Sequence, residues 1–394
     1  MTLTKRAKGG AALIAALALT FGMSGCGTSS GEKSDSESTE LKELGKAEGE
    51  VSLLAWPGYV EDGSNDPDAD WVTPFEKETG CSVKAQTYGT SDEAFNLMKQ
   101  GGIDVVAASG DLSLRLIAAG DVQPINNDLV PNYENVYDFL KNRDWNSLDG
   151  KSYGVPHGYG ANLLMYNKKE FKKAPTSWDV VFDKSDEHKG KVTAYDSPIY
   201  IADAAVYLMD HNPELGIKNP YSLDEKQLDA AVELLKKQSP NVAEYWSDYL
   251  KSLQGFENGS VVAGTGWQVT MNELDPKKFG SVIPDEGTTG WSDTWMVSAD
   301  SEHTTCSYKW LDYMSSAKGS AAATEYFGEA PNNPGACKEA EDPNFCDTYH
   351  AGDEKYAEGI WYWTTPISEC LDGRTDVKCT DYAAWTKAWQ QIKG

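Results

Sequence analysis

Short apolar runs alternate with stretches of helical periodicity along most of the chain. VSLLAW (51–56) is an apolar run closed by Pro-Gly and reads as a buried strand. ADWVTPFEKETG predicts a helix over 69–79 that Gly80 stops. CSVKAQTY (81–88) alternates as a second strand, and Thr90 with Glu93 forms a capping box opening the helix SDEAFNLMKQ. IDVVAAS (103–109) is a third buried strand, and LSLRLIAAG (112–120) a third helix. Strands separated by helices imply a mostly parallel sheet covered on both faces, hence an α/β fold class.

A second unit of the same kind follows. YGVPHGYGANLLMYN (153–167) reads as two extended stretches separated by glycines, and GKVTAYDS (190–197) as a strand with a polar end. SLDEKQLDAAVELLKKQSP (222–240) is the clearest helix, capped by Ser222 and Glu225 and stopped at Ser239-Pro240. SVVAGTGWQ (260–268) is a strand rising to Trp267. GWSDTWMVS (290–298), drawn as one strand, puts Trp291, Asp293 and Trp295 on one face. Trp56, Ser109, Asp196 and Trp267 all fall at strand ends, where open α/β sheets bind ligands. Two such units facing each other make an aromatic-walled cleft.

Composition sharpens this picture. The chain has 394 residues, 40% of them apolar, which suits two lobes and excludes global disorder. Its 13 Trp and 20 Tyr favour a binding surface that is part apolar and part hydrogen-bonding. The formal charge of −26 repels phosphate backbones, so nucleic acid is no partner, while a cationic ligand is compatible.

The N-terminus reads as an export signal. Lys5, Arg6 and Lys8 precede the apolar run AALIAALALTFG (11–22), too short to span a bilayer. It runs into MSGC (23–26), which resembles a bacterial lipoprotein signal cut before Cys26, whose thiol would carry lipid. Residues 1–25 are then the signal peptide, and 26–50 the acylated cysteine and a flexible Gly/Ser/charged tether. The expected location is the outer face of the bacterial cytoplasmic membrane, with a lipid anchor. The remaining cysteines, Cys81, Cys306, Cys337, Cys346, Cys370 and Cys379, are even in number, as in a disulfide-bonded exported protein. Cys370–Cys379 and Cys337–Cys346 each bracket a turn-like loop and are the first two candidate pairs. Cys81–Cys306 is the remainder, and other connectivities stay open. No zinc spacing occurs, so no metal and no cofactor is expected.

Several short motifs, in order, then resemble a known family. They are W-P-G-Y (56–59), F-E-K-E-T-G (75–80), D-V-V (104–106), T-S-W (176–178) with K-G-K (189–191), G-T-G-W (264–267), P-D-E-G (284–287) and W-S-D (291–293). With the lipoprotein signal they resemble the type II periplasmic solute-binding proteins of ABC importers, within them the spermidine/putrescine-binding group. The resemblance implies two lobes joined by two crossover strands, near Tyr153–Ala161 and Gly287–Trp291. It divides the chain into lobe 1 (51–156 and 290–328) and lobe 2 (157–289 and 329–394). It implies a monomer that closes on a small cationic amine and hands it to a membrane permease without catalysis.

Carried over residue by residue, Trp56 and Tyr59 match the aromatics after the first strand, and Trp267 that of the second lobe. Trp291 and Asp293 match the aromatic and acid of the second crossover. Asp293 would then pair a ligand ammonium, with Trp291 and Trp267 as cation–π faces and Trp295 in lobe packing. This chain departs from the group at three places. Ser197 and Tyr200 stand where the group has two acids, Gly110 followed by Asp111 where it has a tyrosine, and Glu329 where it has another. Asp111 or Glu329 could restore an acid. The alternative is the same transport role for a smaller monocation or a quaternary amine.

Other readings compete. WYW (361–363) is read as core rather than cleft. An iron carrier is disfavoured because no adjacent tyrosine pair occurs. For an enzyme, no G-x-S-x-G nucleophile motif, no H-E-x-x-H and no phosphate loop is expected. A surface adhesion or sensory module would use the same tether.

Overall fold

The run Glu50–Ala55 becomes an inner strand of a five-stranded sheet in the computed structural model, which describes residues 41–394. The signal segment, Cys26 and the first part of the expected tether lie outside the described residues. The sheet order is Ser82–Thr87, Glu50–Ala55, Val105–Ala108, Thr294–Val297, Val155–Pro156. The first three strands are parallel, and Thr294–Val297 runs antiparallel to both of its neighbours. A second sheet repeats this plan in the order Val242–Trp246, Val192–Tyr195, Ala263–Gly266, Leu163–Asn167, Phe279–Val282. Again three parallel strands are followed by antiparallel ones. The central strands are buried on both faces, which is why they read as continuous apolar runs.

The two expected crossovers lie side by side. Gly158–Ala161 pairs antiparallel with Thr288–Trp291, Gly290 opposite Ala161 and Trp291 opposite Gly160. Two strands that the apolar pattern did not reveal, Ala330–Pro331 and Ile360–Tyr362, flank them in a four-stranded sheet. This small sheet stands between the two larger ones in chain order and gives the two-lobed fold its hinge.

Three local readings change. GWSDTWMVS is not one strand: Thr288–Trp291 belongs to the hinge sheet, Thr294–Val297 to the first lobe's sheet, and Ser292-Asp293 is the break between them. Trp291 therefore packs in the core containing Trp178, Tyr200 and Trp385, and Trp295 in the core containing Phe75 and Trp310. The helix Glu225–Gln238 is capped two residues later than expected, by a reciprocal box between Asp224 and Gln227. Finally, residues 41–49, expected to be tether, dock on the body. Leu41 O accepts from Asn126 Nδ2, and the Glu48 carboxylate accepts the backbone N–H groups of Thr305 and Cys306 at the start of helix Thr304–Ser315.

All three candidate disulfides are formed: Cys81–Cys306, Cys337–Cys346 and Cys370–Cys379. The first joins the edge of the first sheet to helix Thr304–Ser315 across 225 residues. Ala330, Tyr349 and Ala351 pack on the first lobe's core, whereas Trp385, Trp389 and Ile392 of the last helix, Tyr382–Lys393, pack on the second. The expected division at 328/329 thus falls within chain packed on the first core. Among the described residues no helix is long and apolar enough to cross a membrane.

Asp203, on helix Ile201–His211, is buried against the hinge. Its Oδ2 accepts from Thr289 Oγ1 at 3.0 Å, and its Oδ1 has no partner. Burial pushes its carboxyl up from 3.8 to about 7. Between those two values the folded chain keeps a proton that the unfolded chain has lost, so stability falls as pH rises through that window. We expect Asp203→Asn to melt like the parent at pH 4 but to be more stable at pH 8, by as much as ~4 kcal/mol. Thermal denaturation of both proteins at the two pH values checks this, and equal melting at pH 8 would refute it.

Candidate functional site

A cavity of about 680 Å³ opens where the strand ends of the two lobes meet the hinge. Trp56 and Tyr59 line it from the loop after the first strand, and Ser109 from the end of the third. Tyr195 and Trp267 line it from strand ends of the second lobe, Trp291 and Asp293 from the second crossover, and Trp363 from the segment after Ile360–Tyr362.

Four of these rings form one wall. Trp267 and Trp291 have centroids 5.2 Å apart, Trp291 and Trp363 6.1 Å, and Tyr195 stacks on Trp363 at 5.5 Å. Trp267 is oriented by a polar chain: its Nε1 donates to Asn162 Oδ1 at 3.0 Å, and Asn162 Nδ2 to Thr289 Oγ1, which in turn donates to Asp203. On the other side Trp56 donates its Nε1 to Ser109 Oγ at 3.2 Å and packs on Tyr88. Such π faces attract a cation or cover an alkyl chain.

Asp293 is the acid that the second crossover brings to the lining. It is 2% exposed, its Oδ2 accepts from the Tyr59 hydroxyl at 3.0 Å, and its Oδ1 has no partner. Burial pushes its carboxyl up, Ser109 and Tyr59 pull it back, and the charge of Asp111 adds to the rise. Its backbone carbonyl accepts from His157 N at 2.7 Å, which ties it to the first crossover. The position of this acid between two indoles follows from the topology. The break at Ser292-Asp293 turns the carboxylate toward the cavity while the flanking indoles enter different cores.

Glu329 lies beside this acid but does not line the main cavity. Its Oε2 accepts from Trp291 Nε1 at 2.7 Å and stands 3.5 Å from the Tyr59 hydroxyl, and its Oε1 is 3.5 Å from His157 Nε2. Burial, then the charge of Asp293, pushes its carboxyl well above the usual range. The Trp295 indole N–H donates to His157 Nδ1 at 3.0 Å. An indole only donates, so the histidine carries its hydrogen on Nε2, and burial holds its pKa down to about 3.

The other sequence candidates lie elsewhere. Asp111 is buried under the lining, with Oδ1 accepting from Ser91 Oγ at 2.9 Å and its carboxyl pushed up by burial to about 6. Ser197 caps the turn Pro198–Tyr200 through Ile199 N, and the Tyr200 hydroxyl accepts from Gln238 Nε2 inside the second core. Neither lines the cavity, because Tyr195 closes that strand end before them. Asp196 pairs with Lys393 of the last helix at 2.6 Å. Trp363 and Tyr195 were missed. Gly110 was the signal for Trp363: a Cβ there would lie 1.6 Å from the Trp363 carbonyl oxygen, so the departure from tyrosine admits the segment that brings in this indole. The expectation of no G-x-S-x-G is corrected by the sequence itself, since the string occurs at 150–154. Its Ser152 is buried in a two-residue strand and donates to Gly154 O at 3.2 Å, not exposed on a strand-to-helix elbow. Among the described residues no group of three His, Cys, Asp or Glu is placed to hold a metal.

Glycine also makes room for the wall itself. A Cβ on Gly160 would lie 2.3 Å from the Trp291 ring. We expect Gly160→Ala to cost about 1–3 kcal/mol by overpacking and to shift tryptophan emission as Trp291 moves. Chemical denaturation followed by fluorescence checks both, and an unchanged midpoint and spectrum would show that the ring has slack.

The comparisons with known proteins agree with this geometry. A putrescine/agmatine-binding protein of Pseudomonas aeruginosa is 28% identical over 293 residues, 68% of this chain and 77% of its own length. A putrescine-binding periplasmic protein of Escherichia coli is 26% identical over 285 residues, 67% and 72% of the two chains. Among solved structures, a lipoprotein of Treponema pallidum superposes with a TM-score of 0.69 at 17% identity, covering 87% of this chain and 99% of that one. A spermidine/putrescine ABC transporter substrate-binding protein of Streptococcus pneumoniae gives 0.65 at 19% identity, covering 87% and 98%. These two show the shared two-lobed fold. Residues 70–346 match the family described as bacterial extracellular solute-binding protein. The chain belongs to that family of bacterial extracellular solute-binding proteins.

Proposed function

We propose that this protein is the substrate-binding component of an ABC importer and captures a small cationic amine, a polyamine such as putrescine, between its lobes for delivery to the permease. The observation that carries the reading is Asp293: a buried carboxylate with a free oxygen, lining an aromatic-walled cavity, with no lysine or arginine partner among the described residues. Trp267, Trp291 and Trp363 cover the alkyl chain, and an ammonium end takes the carboxylate. The names of the relatives in Pseudomonas and Escherichia support the same ligand class. Lobe closure on the ligand, retention of the ligand unchanged, a monomeric state and a lipid on Cys26 belong to this reading. So does a division into lobes at the hinge sheet.

A diamine is favoured over a monocation because the lining contains two further acids, Glu61 and Asp248, able to receive a second ammonium. They replace the acid pair that Ser197 and Tyr200 do not supply. Calorimetric titration of the mature protein with putrescine, spermidine, choline and lysine tests the reading. Binding of putrescine or spermidine is the expected result. Binding of choline alone would replace the polyamine with a quaternary amine, and no heat with any of the four would reject amine capture.

A further inference from the structure

We propose that Asp293 and Glu329 share one proton in the ligand-free protein and that an incoming ammonium displaces it, so that cation capture is coupled to proton release. This rests on the reading of the cavity as an amine site. The geometry is a carboxyl pair bridged by a single hydroxyl. Tyr59 has one proton to donate and lies 3.0 Å from Asp293 Oδ2 and 3.5 Å from Glu329 Oε2. Each carboxyl keeps one buried oxygen without a hydrogen-bond partner, Oδ1 and Oε1. Two ionised carboxylates against one hydroxyl, both buried, repel one another, and one retained proton removes the repulsion.

Among the described residues no group supplies the missing positive charge. Around Asp293 stand Tyr59, Tyr88, Asp111 and Tyr195, from the loops after the first two strands, helix Gly110–Ala119 and the second lobe. These are neutral phenols and another acid. Around Glu329 stand Tyr59, Trp291, Tyr349 and His157. The histidine cannot serve as the cation while its Nδ1 accepts the Trp295 indole hydrogen. The upward shift of both carboxyls has the same origin.

The step balances simply. The O–H bond of the shared carboxylic acid breaks, its proton leaves to solvent, and the additional negative charge is held by the ligand's ammonium beside Asp293. No bond of the ligand changes. Glu329 does not touch the ligand. It holds the exchangeable proton and orients Trp291, which makes it a positioning residue particular to a chain with an acid where the resembling group has tyrosine.

The test has two arms. Infrared difference spectra of the ligand-free protein at pH 7, parent minus Glu329→Gln, read the carbonyl stretch of the pair's buried carboxylic acid; the protonated fraction of Asp203 is common to both proteins and cancels, and one acid band is expected in the difference. Titration with putrescine in phosphate and in Tris reads protons exchanged. The parent is expected to release about one proton per ligand, and its affinity to rise about tenfold for each unit that pH rises toward the pair's transition and to level off above it. Glu329→Gln is expected to release none and to lose that pH dependence. Putrescine binding to the parent without proton release would overturn the proposal and leave the amine reading standing. An absent acid band with normal binding would do the same. An acid band without any amine binding would overturn the displacement together with the amine reading.

Discussion

Asp293→Asn is expected to lower the affinity for putrescine by about 2–5 kcal/mol, roughly 30- to 5,000-fold in Kd. The asparagine keeps the size of the side chain, and its carbonyl can still accept from Tyr59, so the fold and the cavity survive. What is lost is an acid in the lining whose second oxygen is buried without a hydrogen-bond partner in the protein. An ammonium desolvated among indoles without a counter-charge loses both its Coulomb partner and its strongest hydrogen bond. Glu61→Gln is expected to cost less, because one Glu61 oxygen already accepts from Asn65 at 2.9 Å. Calorimetry on the two variants separates the roles. Equal affinity of the parent and Asp293→Asn would remove Asp293 from the site.

Replacing Cys81 and Cys306 together by alanine is expected to cost about 5 kcal/mol of stability, the largest single-site loss outside the cavity. The chain-entropy argument scales with the closed loop, and this bridge closes 225 residues. Cys337–Cys346 and Cys370–Cys379 each span 9, for which the same argument gives less than ~3 kcal/mol. Both sulfurs of the long bridge are fully buried, so their removal also leaves unfilled space in the first core. Differential scanning calorimetry is expected to show the melting temperature lowered by roughly 10 °C. An unchanged transition would mean that the unfolded chain is constrained by other means.

The legible parts of this fold were those written locally. Parallel strands buried on both faces stand out as apolar runs, and Gly80 and Thr90 mark helix ends by their own chemistry. The cap of Glu225–Gln238 was misplaced because Ser222 with Glu225 and Asp224 with Gln227 both fit the box. Which pair forms depends on Ser222 Oγ already accepting from Leu371 N. The break at Ser292-Asp293 left no trace, since alternation continues through it without glycine or proline. Asp196 looked like a site residue because its partner, Lys393, is almost two hundred positions away. Trp363 looked like core because three aromatics in a row show no face. Trp56, Tyr59, Trp267, Trp291 and Asp293 were legible only through the family's motifs. Their residue types alone equally describe packing.

The long bridge also orders events in time. Cys81 emerges early, as the second strand of its sheet begins, but its partner follows only after every strand of the second sheet, Leu163 through Val282, has appeared. Thr294–Val297, the fourth strand of the first sheet, arrives equally late. An exported chain leaving its membrane channel N-terminus first therefore carries an unpaired thiol and an open sheet edge through most of its passage. The other two cysteine pairs, each only nine positions apart, emerge later still, so Cys306 is the first of these thiols to reach Cys81, and exchange with the later four is open only while the long bridge has not yet closed.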